Sequence, residues 1–204
     1  MRSRVLILLA VATFARAASG PATLGGVRGH VVLPVEGARL VDAGPLVVYL
    51  DGIDGALDYE VPADVPRISQ KNATFSPPFL VVARGQTVEM PNDDLIFHNV
   101  FSYSHPNEID LGLYAKGKSK SVTFEHAGAV RLYCSIHESM NGLIFVAPSP
   151  YHAIAEPSGA FAIRGAPPGR YRLRTWNQRL PEATRDIEVQ GGRDTEVDLP
   201  IGGG

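Results

Sequence analysis

Beyond residue 17, apolar residues in this 204-residue chain come in short runs that end before they reach helical length. "VRGHVVL" (27–33), "GPLVVYL" (44–50), "FLVVARG" (79–85) and "LIFVAP" (143–148) are of this kind, each bounded or broken by Gly or Pro. Residues 122–125 and 130–134 add strict apolar–polar alternation, the period of a strand with one face buried. The chain carries 21 Gly and 16 Pro, and it shows neither an amphipathic helical stretch nor heptads. The pattern predicts an all-β protein made of sandwiches.

The first residues bear on the compartment, and the net charge on the partners. Met1-Arg2-Ser3-Arg4 is a short basic start, Val5–Ala15 is apolar, and Ala15-Arg16-Ala17 has the small-x-small form of a signal-peptidase site. The apolar run is too short to span a bilayer comfortably, so residues 1–17 are expected to be a cleaved signal peptide, with an uncleaved anchor as the second reading. That implies a periplasmic or secreted protein without a membrane span after cleavage. A formal charge of −2 gives no reason to expect nucleic acid or an anionic membrane as partner.

Three zones follow. The first (24–50) offers two strands separated by Gly37 and a turn at Asp42-Ala43-Gly44, and a polar connection then runs over 51–73. The second (74–146) holds strands at sandwich spacing. The third (151–201) offers two strands around Pro167-Pro168-Gly169, and "RDIEVQ-GG-RDTEVDLPI" reads as a hairpin turning at Gly191-Gly192.

The chain's one cysteine, Cys134, cannot form an internal disulfide. His137 and Met140 follow it at C-x-x-H-x-x-M spacing on a single loop, and His98 opens "HNVFS" after the polar turn "PNDD". Alone, Cys134 reads as a buried apolar thiol and Met140 as core filler. Together, a thiolate, a thioether and two imidazoles form the set of a blue-copper site. Methionine is a poor zinc ligand, which disfavours zinc. A Cys134–His137 hydrolase would need an orienting group and an oxyanion site, and the sequence supplies neither. No H-x-H pair is present, and His30, His105, His126 and His152 read as non-ligands.

Residues 75–102 and 109–146 resemble the cupredoxins, small β-sandwich copper proteins such as plastocyanin, pseudoazurin and amicyanin. The resemblance rests on V-x-x-G-x-x-V (82–88), N-x-D before H-N-V (92–100) and Y-C-x-I-H-x-x-M (133–140). The short His137–Met140 gap is similar to the amicyanin loop. The resemblance implies one type 1 copper ion held by His98, Cys134 and His137 with Met140 axial. It also implies an Asn99 side chain that ties the ligand loops, and a redox partner protein that docks near His137. Gln86, Thr87, Asn92 and Asp93 read as structural.

"GGVRGHVVL…GPLVVYLDG" with "YHAIAEPSGAFAIRGAPPGRYRLRTW" resembles a carboxypeptidase regulatory-like (transthyretin-like) sandwich. The expected organisation is therefore nested: an outer sandwich from 24–72 and 149–201, with a Greek-key cupredoxin domain at 73–148 inserted in one of its loops. The expected function is a one-electron carrier and not an enzyme. The other reading is a non-redox copper-binding, protein-binding or carbohydrate-binding accessory β-sandwich module.

Overall fold

The computed structural model describes residues 23–34, 40–53 and 57–202. The expected signal peptide and Gly37 lie outside them. Seventeen strands and a single turn of helix account for the regular structure among these residues.

Strands from the two ends of the chain pair with one another. β1 (Gly25–Val32) is flanked by β13 (Ala160–Ala166), antiparallel, and by β16 (Asp194–Glu196) and β17 (Leu199–Pro200), both parallel. A second sheet has the order β12 (His152–Ile154), β2 (Val47–Gly52), β14 (Gly169–Trp176), β15 (Thr184–Val189). Val27, Phe161, Ile163 and Leu199 from the first sheet meet Val48, Leu50, Leu173 and Val189 from the second in one core. The helix α1 (Leu40–Ala43) occupies the turn expected there and buries Leu40 in the same core.

The strands expected around Pro167-Pro168-Gly169 and Gly191-Gly192 are present, but neither pair forms a hairpin. β13 and β14 belong to different sheets, as do β15 and β16. The glycine turn lets the chain cross from one layer to the other, with Gly192 at φ 77°. Gly29 on β1 permits a close approach, because a Cβ there would lie 1.7 Å from the Val197 carbonyl oxygen.

Strands between these two groups pair among themselves. The sheet β5 (Phe79–Ala83), β11 (Asn141–Ala147), β10 (Gly128–Tyr133), β7 (His98–Ser102), β8 (Ile109–Tyr114) carries the candidate ligand residues at one end. β6 (Thr87–Pro91) pairs with β9 (Ser119–Thr123). The hairpin β3 (Ser69–Lys71)–β4 (Thr74–Ser76) completes the unit. Its core includes Ile68, Phe75, Val88, Met90, Phe124, Leu132 and Ile144. Residues 65–71, read from sequence as the end of a polar connection, thus contribute to this unit, where Ile68 is fully buried.

The runs without alternation mark where the two units meet. On β2, Val48 and Leu50 enter the outer core while Val47 and Tyr49 face away from it. On β11, Ile144 and Val146 enter the inner core while Phe145 and Ala147 face away. The outward residues join one small cluster with Phe79, Val81 and Trp176. The Trp176 ring stacks on Phe145 at 4.5 Å and on Phe79 at 6.2 Å. A strand covered on both faces has no polar side, so these runs read as continuous apolar segments.

Candidate metal centre

β7 begins with His98, β10 ends at Tyr133 immediately before Cys134, and β11 begins at Asn141 immediately after Met140. Three strand ends therefore bring together the residues singled out by the sequence. The seven-residue loop 134–140 is closed by a hydrogen bond from Met140 N to the His137 carbonyl (2.9 Å).

The thiol Sγ of Cys134 lies 3.7 Å from His98 Nδ1 and 3.8 Å from His137 Nδ1. All three donor atoms fall within 4.8 Å of one another, the only such group of His, Cys, Asp and Glu among the described residues. A first-row ion bonded at about 2.3 Å to a thiolate and about 2.0–2.1 Å to an imidazole, at trigonal angles, needs an S···N separation of about 3.8 Å. The observed spacing fits. His98 is fully buried and Met140 is 1% exposed in the core cluster that also holds Cys134, whereas His137 is only partly covered. One imidazole is thus sealed from water and the other reaches toward it.

The surroundings hold the donors in binding form. Burial pushes the Cys134 thiol up, but backbone N–H groups of Asn99 and Ile136 and the two imidazoles outweigh it and bring it to about 6. A thiolate is the form that binds metal. Asn99 Oδ1 accepts from Ser135 N (2.7 Å) and Ser135 Oγ (3.0 Å), tying β7 to the loop that starts at Cys134.

The polar turn before His98 is built by the side chains read as structural. Asn92 Nδ2 donates to the Ile96 and Tyr114 carbonyls, and its Oδ1 accepts from Asp94 N. Asp93 accepts from Arg67 and Ser69. Gln86 accepts from Ala83 N and donates to the Asp64 carbonyl, and Thr87 pairs with Thr123.

Sequence reasoning included Asp94 as the last residue of the N-x-D element but gave it no role. Its Oδ2 lies 3.1 Å from His98 Nε2, the ring nitrogen that faces away from Cys134. The carboxyl is held at about 2, chiefly by the Ala73 backbone N–H, then by the His98 imidazole and the Leu95 N–H. An acidic residue four positions before a candidate ligand, inside a tight turn, was the available signal. The remaining histidines lie elsewhere: His30 is near Asp198, His105 pairs with Glu108 on the surface, His126 is exposed after β9, and His152 Nδ1 faces the Ser149 carbonyl.

Residues 65–147 match the family model of copper binding proteins of the plastocyanin/azurin family. The match supports a cupredoxin domain in this part of the chain. Solved structures similar to it include a purple cupredoxin from Nitrosopumilus maritimus, 26% identical, covering 40% of this chain and 99% of that one with a TM-score of 0.37. A Cu(I) amicyanin variant is 24% identical over 43% of this chain and 86% of its own, with a TM-score of 0.39. A reduced amicyanin variant is 22% identical over 48% and 97%, also with a TM-score of 0.39. A search of curated proteins returns no match. The cofactor of the cupredoxin domain is copper, and the thiolate and two imidazoles suit that metal.

Proposed function

We propose that this protein is an exported one-electron carrier in which His98, Cys134 and His137, together with Met140, would hold a type 1 copper ion. The observation that carries the reading is the S···N spacing of 3.7 and 3.8 Å around one buried thiol. Copper, when bound, supplies a single electron by cycling between Cu(II) and Cu(I). The chain's part is to keep the donors fixed through that cycle. His98 is anchored at a strand start and sealed from water, Cys134 is held as a thiolate, and Asn99 fixes the loop that carries the other donors. A framework that does not rearrange keeps the two oxidation states alike in geometry.

Electron exchange needs an approach to the metal. His137 is half-covered, and Ile136 beside it is 50% exposed. Leu95, Ile96 and Phe97, directly before His98, are 79%, 45% and 57% exposed. Exposed apolar side chains gathered on ligand-bearing loops mark an interaction surface. A redox partner protein would dock there, close to His137. The strands β1, β2 and β12 to β17, outer in the nested reading, would form a transthyretin-like scaffold. The N-terminal segment would direct export to a periplasm, and none of the helices among the described residues is long and apolar enough to cross a membrane. The set of groups described has no role in substrate turnover under this reading.

Voltammetry of the copper-loaded full chain tests the proposal. A reversible one-electron wave that is lost in Cys134→Ser is the expected result. Copper that binds but cannot be reversibly reduced would point instead to an accessory copper-binding module.

A further inference from the structure

We propose that Asp94 is the positioning residue for His98, holding its Nε2–H so that Nδ1 faces the metal, and that its negative charge lowers the reduction potential. The inference rests on the reading of His98 as a copper ligand. Its basis is a single carboxylate that is satisfied on every side. Oδ2 faces His98 Nε2 at 3.1 Å and accepts from Ala73 N at 2.7 Å, while Oδ1 accepts from Leu95 N at 2.9 Å. Its own N–H is bound by Asn92 Oδ1 (2.9 Å), and Asn92 is fully buried. The Asp94 side chain is 16% exposed and that of His98 0%, so the contact is screened little by water.

A carboxylate accepts and cannot donate, so the proton on His98 must sit on Nε2 for this contact to be a hydrogen bond. The lone pair is then left on Nδ1, the atom that faces Cys134 Sγ. Such a partner orients a ligating imidazole and raises its basicity. A more basic, more anionic donor favours the ion of higher charge. Cu(II) therefore gains more from Asp94 than Cu(I) does.

The latch also involves a strained turn. Asn72 and Ala73, between β3 and β4, have φ values of 55° and 52°. Ala73 lacks glycine's freedom in this left-handed region. Its N–H is spent on Asp94, so the hairpin and the ligand loop are held by the same carboxylate.

The test compares wild-type full chain with Asp94→Asn and Asp94→Ala, each loaded with copper and retaining its visible band. The variants are expected to lose Cu(II) affinity about 10–100-fold. Where that loss exceeds the loss for Cu(I) by tenfold, the midpoint potential rises by about 59 mV. An unchanged or lower potential in folded, coloured variants overturns the proposal while leaving the electron-carrier reading intact. A wild-type protein that takes up no copper would instead remove the reading on which it rests. The wild type supplies a readout that needs no variant to fold: nuclear magnetic resonance of the diamagnetic Cu(I) form. An exchange-protected His98 Nε2 proton in contact with Asp94 is expected, and a proton lost to rapid solvent exchange overturns the inference.

Discussion

Cys134 shows how far one residue can be read without its neighbours. As a lone thiol it had several fates, and only the spacing to His137 and Met140 turned it toward metal. That spacing was legible because the three residues sit on one loop. His98 is 36 positions away, yet it was found because it opens a strand after a polar turn. Asp94 was given no role, since an acidic residue in a turn usually faces solvent and only its place four residues before His98 hinted at the contact.

The lowered Cys134 pKa has a consequence for the metal-free protein. A thiol at about 6 in the fold, against 9.0 ordinarily, adds stability that is present above pH 9 and is lost as pH falls through 6. Denaturant midpoints of metal-free wild type should therefore rise relative to Cys134→Ser between pH 6 and 9. A constant difference would contradict this. Asn99 gives a second prediction: Asn99→Ala removes both bonds to Ser135 and should cost about 1 kcal/mol, read by urea denaturation.

Among the elements, strand existence was legible and strand partnership was not. Apolar alternation reports that a residue faces a core, whichever sheet supplies the partner strand. The Gly191-Gly192 turn illustrates this, for the same positive φ that closes a hairpin also carries β15 over to β16 in the other sheet. Residues 65–71 were hidden for a different reason. Their strand is short and mostly polar, and its place is fixed by long-range contacts such as the Ile68 N–H to the Glu89 carbonyl. The β3–β4 turn can be tested directly. Ala73→Gly relieves a left-handed alanine while keeping the N–H that Asp94 holds, and should stabilise the protein by about 1 kcal/mol. Loss of stability in the same urea experiment would show that the turn is not strained.

For the whole molecule, the contact cluster of Tyr49, Phe79, Phe145 and Trp176 lies between the two groups of strands, on β2, β5, β11 and β14. Arg174 reinforces it, bonding Asp51 at 2.8 Å and Glu182 close by while its guanidinium lies 5.9 Å from the Tyr49 ring. Trp176, the chain's one tryptophan, stacks at the centre of that contact. Trp176→Ala should cost about 2–3 kcal/mol of coupling, less than a fully buried Trp, and split one calorimetric transition into two with the copper spectrum unchanged. A single transition at the wild-type temperature would mean that the units are coupled elsewhere. The central claim, a copper ion bound by one thiolate at the end of β10, is tested most directly by titrating the full chain with Cu(II) and recording its visible absorption. The account predicts an intense sulfur-to-copper charge-transfer band that saturates at one copper per chain and is absent in Cys134→Ser; a copper-loaded, oxidised protein that stays colourless would contradict it.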